Sequence, residues 1–406
     1  MTLKSITLFD PARYPVLRPG VNFFKVAGQN SSDIYVGFSN RGIELKFEIV
    51  NELLQLLDGS ESLQNIMRIM SSKQDESLNN LEFDAILNIL QLLNSASLIE
   101  FRTSPIPRQL LKNKRIKDKI TKPDLLPVNL VNSFNRMRAE ENLYSWHPEV
   151  SAEKNAEILI GRRRNFSIMI YGRNRLALSL FAVLQASGFN LIKLTDRTSS
   201  TTLDSSLQIE PDEVCGLAIR GSDVGLAKAS VLADLARNSR LFTADNLEFP
   251  ARPDFIISTE AIPQETMQRW LSEAIPHLPI SNLIEGKIII GPIVLPGKTP
   301  CLNCLNLWRA ELFPHHNSFE LLAALDCGEG KGLELPSAQV ALLTGLLATL
   351  VIQYCTSLDS SCATKLIGAT LAINLFDPLN SISSADEALG YRYWQPHISC
   401  GCQRLI

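Results

Sequence analysis

Neither sign of charge dominates this chain: 39 Lys and Arg stand against 42 Asp and Glu, for a formal net charge of −3. A nucleic-acid reader needs a surplus of positive charge to displace counterions, and a peripheral membrane binder needs a polybasic patch. The expectation is therefore no nucleic acid and no membrane partner. The N-terminal "MTLKSITLFDPARYP" has no apolar run of signal-peptide length. The most apolar segment, 337–354, is interrupted by Thr344, Gly345 and Thr349 and carries Gln339 and Gln353. It falls short of the roughly 20 mostly apolar residues of a membrane span and reads as a buried helix. A cytoplasmic location is the expectation, and there the eight cysteines are reduced, so closely spaced pairs point to metal rather than disulfide. Histidine is scarce, with five in the chain. His315 and His316 in "FPHHNS" read as a surface loop. His397, three residues before Cys400, either braces a metal site or merely lies nearby.

With 406 residues, 45% hydrophobic and 20% charged, the chain has the composition of a globular protein of two or three domains. Residues 1–102 read as one unit. "VNFFKVA" (21–27), "DIYVGFS" (33–39) and "GIELKF" (42–47) are strand-like runs separated by turn signals. Helical spacing follows in "EIVNELLQLLDGS", in "SLQNIMRIM" (62–70) and in "LEFDAILNILQLLNS" (81–95), where Phe83, Ile86, Leu87, Leu90 and Leu93 share a face. "SLIEFR" (97–102) closes the unit as a strand. This order fits a winged-helix-like α+β domain. Such a domain often binds DNA, but residues 1–110 hold 10 Lys and Arg against 12 Asp and Glu, so peptide binding is the better fit. Residues 103–150, broken by prolines 105, 107, 123 and 127 and basic over 108–122, read as a linker, or alternatively as an arm that contacts a partner protein.

Residues 151–406 form the third segment. From 166 the pattern becomes alternating strand and helix: "FSIMIYG", then "RNRLALSLFAVLQASG" ending at Gly188, then "FNLIKLTD". A further strand and helix are expected in 216–238, followed by strand "PDFIIS" (253–258), a helix opened by Pro263, a β-rich stretch over 278–296, and strand "ATLAINLFDP" (369–378). The sum is an α/β, Rossmann-like doubly wound domain.

In such a fold the first strand–turn–helix is where a nucleotide phosphate would sit, and glycines let backbone amides approach it. Here the turn reads "YGRNRLALS". Gly172 is present, but Asn174 and Ala177 stand at the other two glycine positions. Asp196, at the end of the second strand, is placed to bind a ribose hydroxyl. Either a nucleotide binds here or the loop now serves packing. The cysteines speak more strongly. Cys301 and Cys304 form C-x-x-C, and Cys400 and Cys402 form C-x-C. Four thiolates complete a closed tetrahedral zinc shell that would clamp the C-terminal tail to the domain. The alternative, a redox C-x-x-C, normally opens a helix after the first strand of its domain, and this one follows a proline-flanked loop deep in an α/β domain. Cys215, Cys355 and Cys362 lack pair spacing. Cys327, in "LDCGEGKG", is a candidate nucleophile without an identified base.

The run "GKIIIGPIVLPGKTPCLNCLNLWRAEL", the helix "SAQVALLTGLLATLV" and the terminal "CGCQ" resemble the ThiF-like proteins of azoline-forming peptide biosynthesis, within the ubiquitin-activating-enzyme superfamily. The N-terminal unit is similar in shape to the leader-peptide recognition element carried by such proteins. The resemblance implies a cyclodehydratase component that binds the leader of a ribosomally made precursor, as in bacteriocin biosynthesis, and presents it to a YcaO-type ATP-dependent cyclodehydratase. The leader would add as a strand to a sheet edge. That edge is sought within 33–46 and the facing helix at 81–94, giving Ile34, Tyr35, Val36, Phe38, Phe83, Leu87 and Leu90 as candidate contacts. Adenylating members of the superfamily carry a full glycine loop, Arg and Gln, a Lys and a magnesium-binding Asp. Gly172, Asn174, Asp196 and Lys228 match part of that nucleotide set. The Arg and Gln positions do not match, and Thr259 and Glu260 stand where the magnesium carboxylate is expected. The resemblance thus implies structural zinc, doubtful ATP binding and no independent catalysis. An active enzyme adenylating a carboxylate with ATP is the alternative, and a nicotinamide or flavin oxidoreductase is a third reading that rests on the fold alone. Relatives are often dimers, so a homodimer through the 337–354 helix is a further possibility.

Overall fold

In a computed structural model, the described residues are 10–25, 33–38, 41–46, 49–72, 79–106, 136–137, 139–143, 156–195, 207–239, 248–281, 286–312, 335–356, 365–378 and 391–404. Asp196, His315, His316, Cys327, Cys362 and the basic segment 108–122 lie outside them. The chain divides into two units, 1–161 and 162–406.

In the first unit, β1 (Tyr14–Leu17) pairs antiparallel with β5 (Ile99–Arg102). A separate antiparallel sheet runs in the order β2 (Asn22–Lys25), β3 (Ile34–Gly37), β4 (Gly42–Leu45). Helices α1 (Val50–Leu56), α2 (Leu63–Ser71) and α3 (Asn79–Ser95) follow. Ser62 caps α2 by accepting from the Asn65 amide, and Leu63, Ile66 and Met70 place its apolar stripe inward. The strands alternate: Ile34 and Val36 enter a core shared with Leu53, Leu54, Ile86, Ile89, Leu90 and Leu93, while Tyr35 faces out. The Tyr35 ring crosses Gly42, where a Cβ would lie 2.4 Å from it, so only glycine fits that strand position. Arg102 and Glu141 form a buried ion pair within this unit, which packs part of the 103–150 segment against β5.

The second unit is built on a four-stranded parallel sheet, in the order β7 (Leu191–Thr195), β6 (Ser167–Tyr171), β8 (Phe255–Ser258), β9 (His277–Pro279). Helix α4 (Ala156–Asn165) precedes it, and α5 (Arg175–Ala186), α6 (Lys228–Ser239) and α7 (Gln264–Ser272) connect its strands. Gly188, with φ +100°, takes the left-handed position just past α5. The strand expected after residue 216 is not formed: the amides of Cys215 and Gly216 both donate to the Ile219 carbonyl, folding the chain back into turns. A second, antiparallel sheet joins β10 (Lys287–Ile290), β11 (Ala369–Asn374) and β12 (Tyr391–Tyr393).

Between β10 and β11 lie α8 (Leu302–Leu312) and α9 (Ser337–Thr356). Helix α9 is long and apolar enough to cross a membrane by composition alone, yet it packs on α5 and turns Val340, Leu343, Leu347 and Val351 into the core. Its opposite side leaves Ala341, Leu342, Gly345 and Thr349 exposed, so it is half-buried rather than enclosed.

Candidate functional site

The chain switches direction along the sheet at β6: β7 is added on one side and β8 on the other. Ligands of open α/β sheets bind at the carboxyl ends of strands at this kind of switch. Gly172, directly after β6, has φ +140° and donates its amide to the Thr195 carbonyl at 2.8 Å. Asn174 caps α5: its Oδ1 accepts from the Ala177 amide at 2.9 Å, and its Nδ2 donates to the Thr259 carbonyl at 2.8 Å. From the end of β8, Glu260 Oε1 accepts the Arg173 amide at 2.7 Å. Lys228 opens α6, with its ammonium in a nearly buried ion pair with Glu213. Glu213 in turn accepts from the Glu210 amide at 2.9 Å. Gly172 and Asn174 thus share the turn, and Lys228 is committed to Glu213.

Cys301, Cys304, Cys400 and Cys402 converge, their sulfurs all within 4.8 Å of one another, and could hold a metal ion. The sulfur separations are 3.9 Å for Cys301–Cys304, 3.6 Å for Cys301–Cys400 and 3.5 Å for Cys304–Cys402. A disulfide needs about 2.05 Å, and all four are free thiols. Four sulfurs at about 2.3 Å from one ion in a tetrahedron are about 3.8 Å apart, which matches these separations. Burial pushes the Cys301 thiol well up and the Cys402 thiol up to about 11. Burial acts the same way on Cys400, but hydrogen bonds, first that of the Asn303 amide at 3.4 Å, outweigh it and bring that thiol to about 7. A divalent cation would displace the thiol protons and neutralise charge that otherwise repels within the cluster. Val294, Leu271 and Leu302 close around the sulfurs. With four protein ligands and no open position, such a site cross-links rather than catalyses.

The tail has further anchors on α8. His397 Nδ1 accepts from the Ser399 amide at 3.1 Å, so Nε2 carries the proton and donates to Glu311 at 2.9 Å. Trp308 Nε1 donates to the Gln395 carbonyl at 2.8 Å. His397 therefore braces the tail through Glu311. The sequence reading passed over Asn303, Trp308 and Glu311. The first lies inside "CLNC" and was legible as a donor to sulfur; the other two needed the tail's path.

In the first unit one expectation is corrected. "DIYVGF" is not an open edge: β3 is the central strand, paired with β2 through Phe24↔Tyr35 and with β4 through Tyr35↔Glu44. Its main-chain groups are consumed on both sides. Among the described residues, β2 and β4 are the edge strands of this sheet. Ile34, Val36 and Leu90 are buried core, whereas Tyr35, Phe38 and Leu87 are half-buried. Phe83 lies on α3, its side chain outside the described set. Phe38 sits under the Arg41 guanidinium at 5.3 Å and accepts the Tyr35 hydroxyl on its carbonyl.

No protein-family description matches the sequence, and no curated protein matches it. Solved structures do share the fold. The crystal structure of E. coli MccB with selenomethionine MccA overlaps with a TM-score of 0.51 at 14% identity, covering 96% of this chain and 99% of that one. The microcin C7 biosynthetic enzyme MccB in complex with N-formylated MccA gives 0.50 at 14% identity, with the same coverage. The heterocyclase TruD gives 0.48 at 11% identity, over 96% of this chain and 42% of that chain.

Proposed function

We propose that this protein is a leader-peptide-binding adaptor: it holds a ribosomally made precursor and delivers it to a YcaO-type ATP-dependent cyclodehydratase that forms azolines. The observation that carries the reading is that β4 is an edge strand of the β2–β3–β4 sheet, with no further strand paired to it among the described residues. An added peptide strand gains affinity from main-chain bonds and selectivity from side-chain pockets. We place the leader along β4, where Ile43, like Phe38 just before the strand and Leu87 on α3, is among the half-covered members of the core that a peptide's apolar residues would finish covering. Phe38 and Arg41 flank the start of that strand. Sharing an overall fold with MccB, crystallised with its MccA peptide, is consistent with this role. We assign zinc as the ion of the four-cysteine cluster, on the softness of the ligands and the tetrahedral spacing. The turn after β6 lacks two of three glycines and ends against Glu260, which favours an adaptor over an adenylating enzyme.

Leader binding is tested by fluorescence anisotropy of a labelled precursor peptide with the variants Ile43→Asp and Leu87→Asp. Each should weaken binding by about tenfold or more, since a charge placed at a half-buried apolar contact costs well over 1 kcal/mol, while metal content stays unchanged. Binding untouched by both variants would refute the β4 placement. Proline at Ile34 or Tyr35 is a poor probe, because in a central strand it removes a ladder donor and destabilises the sheet itself. The adaptor role itself is tested by reconstitution: adding the chain to a YcaO-type enzyme, ATP and precursor should accelerate loss of one water per ring. The second reading, adenylation, is favoured by the fold shared with MccB, which was crystallised with AMPCPP and MccA. Magnesium-dependent ATP binding and pyrophosphate release by this chain alone would establish that reading and overturn ours.

A further inference from the structure

We infer that Glu260 is the built-in occupant of the anion position in the turn after β6, an internal contact that shuts this loop to a nucleotide phosphate. The inference rests on the adaptor reading and supplies the device that enforces its non-adenylating half.

Backbone amides at a helix start hold an anion only when they are available to it. Here three amides of the turn and first helical residues are taken by the protein itself. Gly172 donates to Thr195, Ala177 donates to the Asn174 side chain, and Arg173 donates to the Glu260 carboxylate at 2.7 Å. Space tells the same story. Glycine after the first strand normally lets a ligand approach the backbone. At Gly172 the direction a Cβ would take leads to Thr259 Oγ1 at 2.1 Å, then to Glu260 Cγ at 3.3 Å and Cδ at 3.4 Å. The glycine has been kept to admit residues 259–260 rather than a ligand. A phosphate entering here would meet a carboxylate of its own sign at contact distance.

The contact is also well braced. Thr259 N donates to the Tyr171 carbonyl at 2.9 Å, Asn174 Nδ2 donates to the Thr259 carbonyl, and Ser258 Oγ donates to the Glu260 carbonyl at 2.6 Å. Glu260 therefore extends from a short segment tied to both sides of the switch point.

The experiment uses the full chain as wild type, Glu260→Ala and Glu260→Gln. Pyrophosphate binding is followed by calorimetry, and the thermal midpoint is read with and without pyrophosphate or acetate. Wild type should bind no pyrophosphate and show no thermal shift. E260A should have a lowered midpoint that either anion restores, and should bind pyrophosphate at least about tenfold above the detection limit at which wild type shows none, the scale of one charge-assisted hydrogen bond regained. E260Q, which keeps shape and acceptor but sheds charge, should stay wild-type in stability and gain less. It carries the test should E260A not fold, and no gain there overturns the inference. If folded E260A binds no pyrophosphate, Glu260 is not an anion's stand-in, and the adaptor reading survives. If wild type binds magnesium ATP and E260A binds it no better, both fall.

Discussion

Removing the metal from the four-cysteine cluster should release the C-terminal tail and leave the parallel sheet standing. The extent of the effect follows from chain connectivity. Cys301 and Cys402 are 402 − 301 = 101 positions apart. Closing a loop of about 100 residues is worth up to about 4.7 kcal/mol through the entropy of the unfolded chain. Thiols that bind metal in the unfolded chain reduce that figure, so it is a ceiling. The unit spans 406 − 162 + 1 = 245 residues, a size at which 1 kcal/mol moves the midpoint by about 2–4 °C. Chelation, or Cys400→Ser with Cys402→Ser, should therefore lower the midpoint of this unit by roughly 10–20 °C at most. The loss should be local. Hydrogen exchange should rise over residues 391–404, where the Trp308–Gln395 and Glu311–His397 bonds let go. It should stay slow in β6 and β8, whose core of Ile168, Ile170, Phe255 and Ile257 is formed without the tail. Elemental analysis of the purified chain should give one zinc. Metal-free protein with an unmoved midpoint would refute the staple. Exchange rising equally in β6 and β8 would refute the claim that the cluster fastens only a tail.

Two further outcomes follow from buried groups. His277 is fully buried, its Nδ1 proton given to the Ile275 carbonyl at 2.9 Å, and burial lowers its pKa from 6.5 to about 4. The unfolded chain takes up a proton first, so this contribution is whole above pH 6.5 and fades as pH falls towards 4, by about 3 kcal/mol at most. His277→Asn should flatten that limb of a urea-unfolding pH series, and an unchanged slope would refute the assignment. Breaking the buried Arg102–Glu141 pair with Glu141→Ala should cost the first unit about 3–5 kcal/mol. Replacing both partners, as Arg102→Met with Glu141→Leu, should recover most of it in the same denaturation assay, because no uncompensated charge then remains.

What could be read in advance, and what could not, divides by range. Helix α5 was legible end to end, since its apolar run is bounded by Asn174, a capping residue, and Gly188, a residue suited to positive φ. The four cysteines were legible as a group because sulfur at such spacing has few other uses in a reduced chain. The pairing of strands was not. β3 carries the richest strand signal in its unit, and that same richness reflects a strand buried between two neighbours, which is why it cannot be the edge that receives a peptide. Nor does "GLAIRG" betray its turn, because the two amide hydrogen bonds to the Ile219 carbonyl depend on geometry rather than composition. Glu260 lies between these extremes. In the sequence, Thr259 and Glu260 stand where an adenylating enzyme's magnesium carboxylate is expected, and that alone gives Glu260 no role. The structure shows where its carboxylate goes: from the end of β8 it meets the amide just past β6, because the parallel pairing brings those two strand ends side by side. On the inference drawn above, a side chain from the end of one parallel strand fills, at the end of its neighbour, the place an anion would take.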